Sequence, residues 1–109
     1  MGDYTKLIVN CSVKKTDSIE ELKTEILDMI SLTTSAYHCG GEILEVTNSW
    51  DSTCISLITQ AKYGSGIEEF LTWLKPQIVQ GMGGRECYAI IINEYSDIPD
   101  IRYLSEQYN

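Results

Sequence analysis

One histidine, four cysteines and sixteen carboxylates are the groups in this chain that could do chemistry, and their spacing removes most of it. His38 stands beside Cys39. A cysteine–histidine nucleophile needs the thiolate held by a positioned imidazole, and adjacent residues of a strand point to opposite faces. His38 therefore reads as a loop histidine. No two of Cys11, Cys39, Cys54 and Cys87 are separated by two residues, so neither a zinc knuckle nor a redox pair is encoded. Cys11, Cys54 and Cys87 fall in strand-like stretches and are expected as small core residues in a reducing compartment. Glu94, Asp97 and Asp100 share a spacing of three, but the central glycine and terminal glutamate of a calcium loop are missing. Gly64-Ser65-Gly66 precedes a helix whose first turn carries Glu68 and Glu69, which repel phosphate, and no Gly-Lys-Ser/Thr follows. Gly81-Met82-Gly83-Gly84 leads into a strand rather than a helix and so is not a dinucleotide fingerprint. The expectation is a non-enzyme with no catalytic residue, no cofactor and no metal.

The elements that position these groups follow from hydrophobic period. Leu7, Val9, Cys11 and Val13 alternate with polar residues and define a first strand over about Thr5 to Val13, with Ile8 on the other side. Ile19, Leu22, Ile26 and Ile30 share one helical face. Asp17 or Ser18, each three residues before a glutamate, offers a cap, and Thr33-Thr34-Ser35 ends the helix near Leu32. Two strands, Glu42–Asn48 and Thr53–Lys62, flank the loop Ser49-Trp50-Asp51-Ser52 and pair as a hairpin. Ile55, Leu57, Thr59 and Ala61 face one side of it; Cys54, Ser56, Ile58 and Gln60 face the other. Tyr37-His38-Cys39 is either loop or an extension of the second strand. A second helix carries Ile67, Phe70, Leu71, Leu74 and Ile78, with Ser65 and Glu68 as a capping box and Pro76 breaking it. Trp73 falls on the face away from that stripe. Cys87–Tyr95 gives a last strong strand, and Ile101, Tyr103 and Leu104 form either a short fifth edge strand or a segment laid against the domain. The order βαββαβ is the split βαβ, or ferredoxin-like, arrangement of the α+β class: a four-stranded antiparallel sheet with both helices on one face. Residues 1–109 form one domain.

Bulk properties narrow the function classes. Eight basic against sixteen acidic residues give a formal charge of −8. Such a field repels phosphate backbones, and Lys14-Lys15 is the only adjacent basic pair, so direct nucleic-acid binding is not expected. Apolar runs reach only three or four residues, so no membrane span is expected. The first residues lack the basic and long apolar regions of a secretory signal, which makes a cytoplasmic location the expectation. Strands of this fold that stack RNA bases carry aromatics on the first strand, and this one carries none. A fold of this kind does not by itself imply a function.

Surface chemistry remains. Glu94, Tyr95, Asp97, Asp100 and Tyr103 concentrate carboxylates and aromatics against Arg102 alone, and Trp50 occupies the hairpin loop. Aromatics anchor and charges steer, so these six residues are the expected contact set for a protein partner with a basic surface. The leading expectation is a small acidic inhibitor or immunity-type protein that covers a nucleic-acid-binding groove; its size and charge resemble those of proteins encoded by phages and mobile elements. The alternative is a dimeric domain that senses a small molecule. Ile8, Ile58 and apolar residues of the fourth strand on the outer sheet face point to a homodimer.

Overall fold

A strand that alternates perfectly over eleven residues can be buried on one face and paired on both edges, and β1 (Tyr4–Lys14) takes that central place. Leu7, Val9, Cys11 and Val13 are buried as expected. The computed structural model describes residues 4–34, 41–64, 66–79 and 87–104. The other elements are α1 (Ile19–Thr34), β2 (Ile43–Asn48), β3 (Ser52–Lys62), α2 (Ile67–Leu74), β4 (Tyr88–Asn93) and β5 (Asp100–Tyr103). The sheet runs β2-β3-β1-β4-β5, and every neighbouring pair is antiparallel. β1 pairs with β3 along its whole length, from Tyr4 opposite Lys62 to Lys14 opposite Ser52.

The sheet therefore has five strands, the four expected and, of the two readings open for Ile101–Leu104, the short edge strand. β5 pairs with β4 from Tyr88 opposite Tyr103 to Ile91 opposite Asp100. Immediately after it, the Leu104 amide donates to the Cys87 carbonyl at 2.7 Å, and the Leu104 side chain is buried. Four residues are too few for alternation to declare a strand; the pairing is fixed by the long partner beside it. β4 is shorter than expected and stops at Asn93, whose side-chain oxygen accepts the Tyr95 amide at 2.9 Å and starts the turn.

Both helices lie on one face of the sheet. Ile26 and Ile30 of α1 and Ile67, Phe70, Leu71 and Leu74 of α2 join Leu7, Val9, Ile55 and Leu57 in a single core. The side chain that takes up a backbone donor just ahead of α1 is the Thr16 hydroxyl, which accepts the Ser18 amide at 3.0 Å, rather than the Asp17 carboxylate or the Ser18 hydroxyl. Thr33 and Thr34, expected to end α1, lie inside it. Their hydroxyls donate back to the carbonyls of Met29 (2.8 Å) and Ile30 (2.7 Å), local bonds that a helical backbone accommodates. α2 ends at Leu74 and passes into a 3-10 turn at Lys75–Gln77, where Pro76 removes a helical donor. Ser65, Tyr37, His38, Cys39 and the Gly81–Gly84 stretch lie outside the described residues.

Two positions expose the packing to measurement. Gly66 begins α2 at φ +80°, and a Cβ there would overlap the Thr33 carbonyl at the end of α1. Gly66→Ala is expected to cost at least about 2 kcal/mol in urea denaturation, through left-handed strain plus separation of the two helices. A cost below about 0.5 kcal/mol would contradict that contact. Burial pushes the Cys11 thiol up to about 12, with negative charge on Cys87 and Cys54 adding to it. A thiol that ionises at higher pH in the folded state leaves stability intact below its ordinary value near 9.0. The stability is lost as pH rises from there toward 12, because the unfolded chain releases the proton first. Chemical denaturation from pH 8 to 11 is expected to show a steeper loss for the natural chain than for Cys11→Ala. Equal slopes would show that Cys11 is not protected.

Candidate protein-docking site

The outward side of α1 is where the negative charge collects. Helical spacing sends Ile26 and Ile30 into the core and turns Glu20, Glu21, Glu25 and Asp28 to solvent. Glu20 and Glu21 also sit in the first turn, at the positive end of the helix dipole. Among the described residues, none of these four carboxylates pairs with a lysine or arginine. They rim an open groove of about 630 Å³ whose remaining walls are Thr24, Met29, Leu32 and Trp73. A second hollow of about 440 Å³ shares Glu21 and Glu25 and continues toward Pro76 and Gln77.

Trp73 is what gives the groove an apolar wall. Contrary to the expectation that it faces away from the core stripe, it is half-buried and leans on the core, its ring centroid 5.8 Å from that of Phe70. Met29 is likewise packed against the core, while Leu32, at the far end, is 73% exposed. An indole braced from behind and open in front is a rigid platform for a cation or an apolar anchor.

Of the six residues singled out in the sequence, Glu94, Tyr95 and Asp97 share the connection between β4 and β5, whereas Trp50 and Tyr103 lie elsewhere. Trp50 is 90% exposed in the β2–β3 loop, at one edge of the sheet and beside the Lys14 end of β1. Glu94 lies at the opposite end, where its carboxylate accepts the Tyr4 amide at 3.0 Å. Tyr95 and Asp97 are exposed in the β4–β5 turn. Asp100 belongs to a clamp instead of a free surface. Its Oδ2 accepts from Arg102 Nε at 3.0 Å and Nη2 at 2.9 Å, while Arg102 Nη1 lies 2.6 Å from Glu68 of α2. The hydrogen bonds it donates, to Glu68 first and then to Asp100, hold the guanidinium more firmly protonated still. Tyr103 stands on the open sheet face opposite Tyr88.

The α1 groove went unread because its rim looks in sequence like an ordinary solvated helix face. The signal was the pairing of that rim with Trp73, two elements away, and only the fold joins them. Among the described residues no group of histidine, cysteine, aspartate and glutamate side chains is arranged to hold a metal ion. No described helix is long and apolar enough to cross a membrane. No protein-family model matches the chain, and neither a curated protein nor a solved structure gives a match.

The Arg102 clamp ties the edge strand to α2, and removing it should loosen that edge alone. In Arg102→Gln, hydrogen exchange at the Leu104 amide is expected to speed up several-fold while β1 amides are unchanged, since a partly exposed ion pair contributes about 1 kcal/mol or less. Unchanged exchange at Leu104 would show that the pairing with β4 needs no clamp.

Proposed function

We propose that this chain is a small, non-enzymatic, acidic binding module whose α1 groove receives a basic segment of a partner protein. In this reading the partner's lysines or arginines meet Glu20, Glu21, Glu25 and Asp28, and one cation or apolar side chain rests on Trp73. The observation that carries it is the combination of four unpaired carboxylates with an apolar wall in one groove. Charges of one sign raise the encounter rate with an oppositely charged surface, and a braced aromatic supplies the anchor that charge alone does not. A partner surface of that kind is also what binds nucleic acid, so the module acts as an inhibitor that covers it. The strand order β2-β3-β1-β4, with α1 and α2 as the two crossovers, supports reading the scaffold as a ferredoxin-like split βαβ core to which β5 is added.

The docking surface proposed is α1 rather than the β4–β5 turn, and charge reversal separates the two. The probe is a short amphipathic lysine–leucine peptide, followed by tryptophan fluorescence in a Trp50→Phe background so that Trp73 alone reports. Binding is expected to weaken about tenfold or more between low and physiological salt. The double variant Glu21→Lys, Glu25→Lys is expected to abolish it with the circular dichroism spectrum unchanged, and Asp97→Lys is expected to leave it within about twofold. Salt-independent binding, or loss of binding in Asp97→Lys alone, would overturn the assignment to α1.

A further inference from the structure

The face of the sheet away from the helices carries a row of five isoleucines, one from every strand. Ile43 stands opposite Ile58, Ile58 opposite Ile8, Ile8 opposite Ile90, and Ile90 opposite Ile101. Ile92, Tyr88 and Tyr103 flank the row on β4 and β5 by the same alternation. Ile43 and Ile101, at the two ends, are 60% and 53% exposed. β-branched residues favour strands wherever they fall, but threonine would serve as well on a wet face; an unbroken apolar row across five strands needs a cover.

Charge indicates what the cover is. The chain carries −8, and two copies repel each other through their helix layers. The open face differs from the rest of the surface. Alternation places Glu45 and Glu94 on it against Lys6, Lys14 and Lys62, so among the described strand residues it carries no excess of negative charge. It is the surface on which two copies of this acidic chain can meet without that penalty. The row is also self-complementary. A two-fold axis along β1 exchanges Ile43 with Ile101 and Ile58 with Ile90, and an axis along the row sets each isoleucine over its own copy. Five strands of four to eleven residues, at about 3.3 Å per residue and about 4.8 Å between strands, give a projected area of roughly 600 Å². A pleated surface exceeds its projection, which brings it near the approximately 800 Å² per partner of a stable interface.

We infer that a second copy of this chain covers the open face, forming a sheet-on-sheet homodimer with the isoleucine row at its centre. The helix layers then lie on the two outer sides, so both acidic grooves stay accessible and the dimer presents two of them in opposite directions. The dimer does not depend on what the grooves bind.

Sedimentation velocity of the 109-residue chain tests this directly. The expected result is a species of twice the 12.3 kDa chain mass at micromolar concentration. Ile58→Lys, at the middle of the row, is expected to give a monomer with an unchanged circular dichroism spectrum. Should that variant fail to fold, Ile43→Lys and Ile101→Lys at the exposed ends are each expected to weaken association at least about tenfold, as a charge buried at an interface does. Thr72→Lys, exposed on α2, is expected to leave association unchanged. A monomeric natural chain, or a dimer indifferent to all three isoleucine substitutions, would overturn the inference. Either outcome leaves the peptide-binding test of the groove standing.

Discussion

The pairing of β1 with β3 and β4 is the constraint on which the rest depends. β1 is the middle strand of the sheet, paired with β3 along its whole length and with β4 from Thr5 to Asn10, and its two faces are chemically different. Thr5, Leu7, Val9, Cys11 and Val13 are buried toward the helices, while Lys6, Ile8, Asn10 and Ser12 face the open side. Shifting this strand by one residue would exchange the two sets and place lysine and asparagine under α1 and α2. Register is thus fixed by the cost of burying those polar groups, and the faces of β3 and β4 are set in turn. The Asn10 amide donating to the Tyr88 hydroxyl at 3.1 Å, and the Asn93 amide to Thr5 at 3.2 Å, add polar register marks on opposite faces.

From that constraint comes a separation of chemistry between two layers. The helices take the carboxylates, because the outer side of an amphipathic helix and its first turn both favour them. The open sheet side takes isoleucine, tyrosine and small polar residues, with lysines and glutamates of both signs around them. A molecule of one sign overall is thereby divided into a strongly negative side and a more apolar side whose charges largely offset one another. The two suggested contacts, one steered by charge and one by apolar area, fall on opposite sides and do not compete.

Much of the fold was legible in the sequence because long, strongly periodic stretches declare themselves. Leu7 to Val13 and Ile55 to Ala61 alternate, with Ile8 and Ile58 outside and Thr59 inside as the exceptions, and each places the same residues inward in the structure as in the sequence. Short elements were not legible in the same way. Asp100–Tyr103 becomes a strand through its neighbour, and Thr33-Thr34 stays helical with its hydroxyls bonded back to the Met29 and Ile30 carbonyls, against its local propensity. Function was harder still. Closeness in sequence joined Glu94, Tyr95, Asp97, Asp100 and Tyr103 into one cluster, whereas alternation sends Asp100 and Tyr103 to opposite faces and the turn takes the others. The isoleucine row needed the register of four strand pairs, and the groove needed Trp73 beside α1; neither can be seen along the chain.

Segregation of charge between the helix layer and the open sheet face can be read residue by residue by paramagnetic relaxation with paired cationic and anionic nitroxide probes. Protons of Thr24 and Asp28 are expected to relax much faster with the cationic probe than with the anionic one, while the methyl groups of Ile43 and Ile101 respond about equally weakly to both. A uniform cationic preference over helices and sheet alike would contradict that segregation.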